Sequence, residues 1–372
     1  LNDSKCTLSV INKSKQTKME NMEIKNIVSQ VKYLGVIIDL KQLCWKNHIL
    51  STHEKVNTII LRSIELSIIG GELTIDLQRR YYTQMIRPMI EYGARIMTLN
   101  KTLMNKLEIL QHRVLTKITH THFSAKRSAT RLLLGIPPIE ARYDFMLLSG
   151  YYTFIKDKQD LLVGKLVRKE QEYTNMNEDR INGGDGNHEP MCLYSIDVLS
   201  TLTKYNLQQY WKPEELPTSL FIWKSILKTQ IYDYHFQRDK DDMGNNEHMK
   251  IFMDIVTALQ EPHEIYPKIY AKLLDKDEHN GYLLKVITDN INICWKQNVA
   301  QGRRLIIGHC KWCEEEWENP VQHLLLECIE TQGVFDSTKS SDNEKDSPLI
   351  CDGQLTINEL KRRCSILEKI LK

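Results

Sequence analysis

The sequence has no apolar run close to the ~20 residues that a membrane-spanning helix needs; the densest clusters, such as Val36-Ile37-Ile38, end within a few positions. Residues 1–5 show neither the basic start nor the apolar stretch of a signal peptide. The nine cysteines are odd in number and unevenly spread, which does not fit a secreted disulfide framework. We therefore expect an intracellular protein, nuclear or cytoplasmic, that does not bind membranes and whose cysteines are available to a metal.

Common catalytic motifs are missing as well. The sequence contains no glycine-rich phosphate loop, no Gly-x-Ser-x-Gly elbow and no His-Glu-x-x-His pair. Asp241-Asp242 is the only pair of adjacent aspartates. The charged sequence around it, from Arg238 to Glu247, predicts a surface loop rather than the rigid carboxylates that hold two metal ions. The residues alone therefore predict no catalytic site.

Charge is nearly balanced over the whole chain but uneven along it. The 372 residues include 50 lysines and arginines against 48 aspartates and glutamates, which gives a net charge of +2. Between Lys101 and Arg142, however, eight basic residues are accompanied by only two acidic ones, Glu108 and Glu140. A basic segment of this kind can bind a polyanion, and it can equally be the solvated face of a helix.

The periodicity of apolar residues predicts a mainly helical chain. The clearest helix runs from Lys101 to Thr119, and its apolar residues recur every three or four positions: Leu103, Leu107, Leu110, Val114 and Ile118. Three basic residues lie along the edge of that stripe: Lys106, Arg113 and Lys117. Other predicted helical segments are one from Trp45 that stops at Gly70-Gly71, and 74–86, 129–134, 139–168 and 358–371. Strands are predicted at 7–11 and 32–39, where Gly35 marks a bulge or a close approach.

The most specific local pattern is Cys310-x-x-Cys313, followed by His323 and Cys328. Two thiols three residues apart can hold one ion, and a histidine and a cysteine from the next helix can complete four tetrahedral ligands. Three thiolates and one imidazole favour Zn²⁺ in a closed structural site, with no position left for a substrate. The alternative is that these residues only pack against one another.

Seven short segments occur in a set order along the chain, and together they resemble the C-terminal half of non-LTR (LINE-type) retrotransposon reverse transcriptases. Leu1-Asn2-x-x-Lys5-Cys6 resembles palm motif D, and Lys32-Tyr33-Leu34-Gly35-Val36 with Asp39 resembles the primer-grip motif E. Trp45-x-x-His48-Ile49 is similar to the start of the thumb in that family.

The remaining four segments follow in the family's order. Arg87-Pro88-x-x-x-Tyr92-Gly93 resembles the family's Arg-Pro-x-x-x-Tyr-Gly stretch. The helix around Gln111 resembles its Leu-x-x-x-Gln-x-x-x-Leu helix, and Leu134-Gly135-Ile136-Pro137-Pro138 resembles the turn that ends it. The Cys310, Cys313, His323 and Cys328 set is similar to the family's C-terminal zinc knuckle.

The resemblance implies a mainly α fold with a small β-rich N-terminal part. It implies six consecutive regions: a palm remnant (1–40), a helical thumb (41–165), a linker (166–192), a helical connector (193–299), a CCHC zinc knuckle (300–332), and a loop with a terminal helix (333–372). In this family the catalytic aspartates belong to motifs A and C, which precede motif D, so we expect this chain to lack them.

The resemblance also implies roles for individual residues. Lys5 would be a remnant of motif D, and Tyr33, Leu34 and Gly35 would form the primer grip. The residues expected to contact nucleic acid are Lys106, Arg113, Lys117, Lys126, Arg127 and Arg131. The expected partners are RNA and DNA, namely the element's RNA and a primer–template duplex; Zn²⁺ would be structural, and Mg²⁺ would serve only an intact polymerase.

The sequence thus predicts a nucleic-acid-binding portion of an RNA-directed DNA polymerase that is inactive by itself. One alternative is a domesticated helical interaction module that uses zinc for folding and does not bind nucleic acid. A complete metal-dependent enzyme is the least favoured interpretation, since no rigid cluster of carboxylates is evident.

Overall fold

The structure is a computed structural model, in which the described residues are mainly helical with three antiparallel pairs of short strands. The mainly helical fold expected from the sequence is therefore confirmed. Palm motif D, with Lys5, and the strand predicted at 7–11 lie outside the described residues. The structure describes residues 30–39, 44–121, 123, 125–176, 194–244, 249–261, 264–274, 283–284, 308–310, 312–317, 320–337, 349–350 and 355–371.

The helices and strands are numbered here in chain order. The helices are α1 (Lys46–Glu65), α2 (Ile75–Tyr81), α3 (Arg87–Ile90), α4 (Lys101–Ile118), α5 (Arg127–Leu134), α6 (Ile139–Tyr152), α7 (Leu162–Met176), α8 (Tyr194–Lys204), α9 (Leu220–Gly244), α10 (Lys250–Leu259), α11 (Ile269–Leu273), α12 (Pro320–Gln322), α13 (Ile329–Ser337) and α14 (Ile357–Leu371). The strand pairs are β1 (Gln30–Tyr33) with β2 (Val36–Asp39), β3 (Gly308–His309) with β4 (Glu316–Trp317), and β5 (Leu349–Ile350) with β6 (Leu355–Thr356).

The chain divides into two compact units, each assembled from three separate segments. Unit 1 consists of Leu1–Ile59, Met85–Leu110 and Ile139–Ile231. Unit 2 consists of Ile60–Gln84, Gln111–Pro138 and Tyr232–Lys372. The hairpin of β1 and β2 belongs to unit 1, and the candidate metal ligands belong to unit 2.

The helix predicted at 101–119 is confirmed as α4, and all five residues of its predicted apolar stripe are buried. Thr74 begins α2 as expected, because its side-chain oxygen accepts a hydrogen bond from the backbone N–H of Leu77. The chain then continues through a π-helical turn, Tyr82–Ile86, into α3. Pro88 lies in the first turn of α3, directly after this π-helical turn, so the helical path is irregular beside the proline but does not end there.

Hairpin β1–β2 turns at Leu34 and Gly35, whose φ angles are 46° and 86°. Two consecutive positive φ values are typical of the type I′ turn, which joins two strands without a bulge. Gly35 also approaches a neighbouring side chain closely, because a Cβ placed on it would lie 3.3 Å from Cε1 of Tyr92. Of the two readings of Gly35, the close approach is confirmed, and the bulge is replaced by a turn.

The charged loop predicted from Arg238 to Glu247 is wrong over residues 238–244, which continue helix α9. Asp239 and Met243 lie four positions apart on the buried side of this helix. Asp239 is neutralised there by Arg131, which donates two hydrogen bonds to its carboxylate. The local sequence shows only the density of charge, while the partner that stabilises the helix lies 108 residues away.

Two other segments predicted to be irregular are helical in part. Residues 166–176 of the predicted linker belong to α7, because Val167, Gln171 and Thr174 are buried on one side of that helix. The loop predicted after 331 begins with α13, which buries Phe335. Residues 177–192 and 338–348 of these two segments lie outside the described residues. The terminal helix predicted at 358–371 is confirmed as α14.

Gly135 ends helix α5 in a left-handed conformation, with φ of 61°. The N–H groups of Gly135 and Ile136 donate back to the carbonyls of Leu132 and Arg131, respectively. These two carbonyls of the last helical turn therefore have hydrogen-bond partners. Another chain segment passes closely, since a Cβ on Gly135 would lie 2.8 Å from the carbonyl oxygen of Pro267. Both the backbone angle and the close approach therefore require glycine.

We expect Gly135→Ala to lower the free energy of unfolding by at least about 2 kcal/mol, because alanine is strained in this conformation and the Pro267 backbone would have to move. The matched control is Gly244→Ala at the end of α9, where an added Cβ meets nothing within 4 Å. Urea denaturation of the two variants beside the parent protein measures both effects. An equal, small effect of the two substitutions would contradict this account of the turn.

Candidate metal centre and nucleic-acid interface

The candidate metal ligands lie in and after the short hairpin of β3 and β4. Cys310 and Cys313 belong to the loop between the two strands, and His323 and Cys328 stand at the start and just after the end of a π-helical turn, His323–Glu327. The loop is tight, because the N–H of Cys310 donates to the carbonyl of Glu315 at 2.9 Å and the N–H of Glu314 donates back to the carbonyl of Cys310 at 3.0 Å.

The four candidate ligand atoms lie close together. Sγ of Cys310 lies 3.7 Å from Sγ of Cys328, and Sγ of Cys313 lies 3.3 Å from Nε2 of His323. All four atoms lie within 4.8 Å of one another. Bonds of about 2.3 Å to sulfur and 2.0 Å to nitrogen in a tetrahedral zinc site imply ligand separations of roughly 3.5–3.8 Å. These four residues could therefore hold a metal ion such as zinc.

The surroundings of the cluster are those of a closed site. Cys310, His323 and Cys328 are buried; Leu324 forms an apolar cluster with the two buried cysteines, and Trp312 packs against it. Nδ1 of His323, the nitrogen that faces away from the cluster, lies 3.7 Å from Oε2 of Glu327. A carboxylate on that side of a histidine ligand favours the orientation and tautomer that present Nε2 to a metal. Four protein ligands in a buried cluster favour a structural ion over a catalytic one.

The two thiols of the loop titrate differently without a bound cation. Burial raises the pKa of Cys313 to about 12. Burial also raises the pKa of Cys310, but hydrogen bonds from the backbone N–H groups of Cys313 and Trp312 outweigh it, so that the net shift is downward. The same N–H groups would stabilise a thiolate ligand, and a metal would displace the proton of Cys313 as it binds.

Two arginines of α14, which the sequence analysis did not single out, bind the π-helical turn and α13, and we call residues 308–337 with α14 the zinc module. Arg363 donates to the carbonyl of Leu325, within the π-helical turn, and Arg362 donates to the carbonyl of Phe335 at 3.1 Å. Both guanidinium groups also bind the carboxylate of Glu359. Burial alone would raise the pKa of Glu359, but the two arginines hold it below its usual value. The sequence signal is a glutamate followed by arginines three and four positions later, which is common on helices and therefore not specific.

Helix α4 presents two of the predicted nucleic-acid contacts to solvent. Arg113 and Lys117 are exposed, one turn apart, while Lys106 is half-buried. Lys117 also lies beside Gly70, since a Cβ on Gly70 would come within 3.7 Å of Cβ of Lys117. The exposed part of the predicted basic edge therefore consists of Arg113 and Lys117.

The basic residues of α5 are engaged within unit 2 to different degrees. Arg131 forms a bidentate ion pair with Asp239 at 2.8 and 2.5 Å, and the two side chains are only 11% and 2% exposed. Tyr266 donates a further hydrogen bond to the same carboxylate. The ammonium group of Lys126 donates to the carbonyl of Asp242 at 3.1 Å, and Arg127 is half-buried. These contacts assign Arg131 a role in holding α5 to α9.

Three of the segments that carry the family resemblance meet around hairpin β1–β2 in unit 1. The backbone N–H of Ile37 donates to Nδ1 of His48 at 3.3 Å, and the hydroxyl of Tyr92 donates to the carbonyl of Leu34. Val36 lies beside Gly93, whose added Cβ would be 3.6 Å from the valine side chain. Burial lowers the pKa of His48, which favours the neutral ring that can accept this hydrogen bond.

The tip of this hairpin is exposed, although its base is held by the contacts above. Tyr33 and Leu34, two of the predicted primer-grip residues, are exposed. Asp39, at the base, accepts a hydrogen bond from the side chain of Asn47 at 3.0 Å. The hairpin therefore presents an aromatic and an apolar side chain to solvent from a fixed base.

Glu91 is a buried residue that the sequence alone did not single out. Its carboxylate accepts two hydrogen bonds from Arg142 at 2.7 and 3.0 Å and lies 3.2 Å from Nε of Arg87. It stands between Arg87-Pro88 and Tyr92-Gly93, so this ion pair fixes the segment next to the hairpin. The sequence shows that Glu91 lies within an Arg-Pro-x-x-Glu-Tyr-Gly stretch. It does not show that Glu91 pairs with Arg142, which lies 51 residues away along the chain.

Within the part of the chain that the structure describes, no helix combines the length and the apolar character needed to cross a membrane. Comparisons of the chain with models of known protein families, with curated proteins and with solved structures found no match.

Proposed function

We propose that this chain is a nucleic-acid-binding part of an RNA-directed DNA polymerase of the non-LTR retrotransposon type. The observation that carries the proposal is that two other motif segments, those of His48 and Tyr92, meet at hairpin β1–β2, which is itself the motif E segment. In the proposed assignment the hairpin is the primer grip, the helices from α1 onward belong to the thumb, and the cluster around Cys310 is a zinc knuckle.

Three features support binding to a nucleic acid. The hairpin exposes Tyr33, whose ring can stack on a base. Helix α4 exposes Arg113 and Lys117, whose cationic side chains can contact phosphates. The apolar stripe of α4 is buried, so these two residues extend from a helix that is fixed in position.

The cofactor of the proposed function is one structural Zn²⁺ ion. It would be held by Cys310, Cys313, His323 and Cys328 and would stabilise the fold around them. Mg²⁺ would act only in a polymerase that also has the catalytic aspartates, because the present sequence contains no Phe/Tyr-x-Asp-Asp motif.

The purified chain should bind single-stranded RNA and a primer–template duplex, and it should not extend the primer with either Mg²⁺ or Mn²⁺. A fluorescence anisotropy titration measures binding, and a primer-extension assay on an RNA template measures activity. Absence of binding at low salt would favour the interaction module that uses zinc only for folding. Template-dependent extension that is abolished by a substitution in this chain would overturn the assignment as an inactive part.

A further inference from the structure

Helix α7 of unit 1 has an unusual distribution of apolar and polar residues. Its largest apolar side chains face solvent: Leu162, Leu166 and Tyr173 are 73%, 52% and 48% exposed. The face that packs on the unit buries Gln171 and Thr174 beside Val167. An ordinary surface helix keeps its large apolar side chains on the buried face.

Hydrogen bonds on the inner face help to dock α7 onto its own unit. The side chain of Gln171 donates to the carbonyl of Trp211 at 2.5 Å and to the hydroxyl of Tyr151 at 3.3 Å. The hydroxyl of Thr174 lies 3.2 Å from the hydroxyl of Ser195. Because these buried groups are paired, the helix is anchored without its outer apolar residues.

The outer row follows a heptad pattern. Leu162, Leu166, Lys169 and Tyr173 are separated by four, three and four residues, and at ~100° per residue they fall within about 60° of one another. This spacing is that of the seam by which one helix packs against another. A single lysine inside an otherwise apolar seam is a device that selects one alignment of two helices.

The charges beside the seam favour a second copy of the same helix. Lys165 and Glu172, both exposed, lie seven residues apart on the same flank, within about 20° of each other at ~100° per residue. In an antiparallel pair related by a twofold axis, residues of the same flank face each other. Lys165 of one copy then faces Glu172 of the other, and the symmetry repeats this ion pair.

The apolar residues are self-complementary in the same alignment. Leu162 lies opposite Tyr173 of the second copy, and Leu166 lies opposite Lys169, whose methylene groups can cover it while its ammonium group stays in water. A twofold axis between residues 167 and 168 relates both layers. In that alignment Lys165 and Glu172 of the second copy are offset by two residues, about 3 Å along the helix, which their long side chains can span. A parallel pair would instead bring opposite flanks together, so that Lys165 and Glu172 would not face each other.

We propose that the outer face of α7 is a self-association surface, on which two copies of the chain pack antiparallel with reciprocal Lys165–Glu172 ion pairs. From Leu162 to Tyr173 the seam is only about 17 Å long at ~1.5 Å per residue. An interface of this size is small, so the dimer is weak and depends on concentration. The inference does not rest on the proposed binding of nucleic acid.

Charge reversal tests the alignment as well as the existence of the dimer. Sedimentation velocity over roughly a hundredfold range of protein concentration gives the dissociation constant of a weak dimer. Lys165→Glu and Glu172→Lys should each raise that constant about tenfold or more, because each change creates two repulsive pairs across the twofold axis. The double variant, Lys165→Glu with Glu172→Lys, should restore association to nearly the parent value.

The matched control is Lys228→Glu, a reversal at an exposed lysine of α9, which should leave the dissociation constant unchanged. Circular dichroism confirms that each variant remains folded. A parent chain that sediments as a monomer at every concentration would overturn the proposal. So would a double variant that associates no better than either single variant, because only the reciprocal pair restores opposite charges.

Discussion

We expect Cys313→Ser to remove the zinc from the protein and to unfold the module around it. The parent protein should contain one zinc ion per chain, and the variant should contain close to none, because a hydroxyl is a far poorer ligand than a thiolate. Structural zinc contributes on the order of 10 kcal/mol to the folding of small modules, far more than the substitution of one half-buried side chain. Metal analysis of the purified variant beside the parent protein measures the loss.

The loss of metal should be local and visible in hydrogen exchange. Amides of α13 should lose protection, and those of α14 should follow, because Arg363 and Arg362 bind carbonyls of Leu325 and Phe335 in this module. The matched control is Cys364→Ala, which removes a buried thiol of the same unit that is not one of the four ligands. It should cost stability and keep the zinc. Equal zinc contents in the parent protein and Cys313→Ser would contradict the assignment of the zinc site.

Arg131→Gln should lower the free energy of unfolding by about 3–5 kcal/mol, because it leaves the buried carboxylate of Asp239 without its cation. The side chains of this pair are almost fully buried, so solvent screens their interaction little. Chemical denaturation measures the effect. The second part of the test is the double variant Arg131→Gln with Asp239→Asn, which removes both charges and should be less destabilised than the sum of the single variants.

This substitution also separates a structural arginine from a nucleic-acid contact. Lys117→Gln, on the exposed edge of α4, should change the stability by less than about 0.5 kcal/mol. If Arg131→Gln were as stable as Lys117→Gln and weakened binding to RNA instead, Arg131 would be a phosphate contact and not the anchor of α5 on α9.

The helices and the ligand set were largely predictable because their signals are local. The stripe of α4 repeats within one helix, and all five of its members are buried. The four metal ligands lie within 19 consecutive residues, so that spacing alone could predict the cluster, whose atoms lie within 4.8 Å of one another. A pattern within one short segment predicts structure well when that segment alone forms the helix or supplies the ligands.

The parts that could not be predicted depend on distant partners. Charge density around Asp241 favoured a loop, yet Asp239 is paired with Arg131 and the segment is helical. The same pairing gives Arg131 a role that a count of basic residues cannot reveal. Likewise, Gln171 of α7 is buried because Trp211 and Tyr151, 40 and 20 residues away, satisfy its amide.

The central claim, that this chain binds nucleic acid through an exposed basic edge, is tested most directly by the salt dependence of binding. The measurement is the affinity of the parent chain and of the variant Arg113→Gln with Lys117→Gln for a primer–template duplex, over a series of salt concentrations. Each phosphate contact releases about one counterion, so the variant should show a log–log slope that is shallower by up to ~2 units, with similar losses for unrelated duplex sequences. An unchanged slope and affinity in the double variant would contradict the account, and α4 would then present an ordinary solvated face.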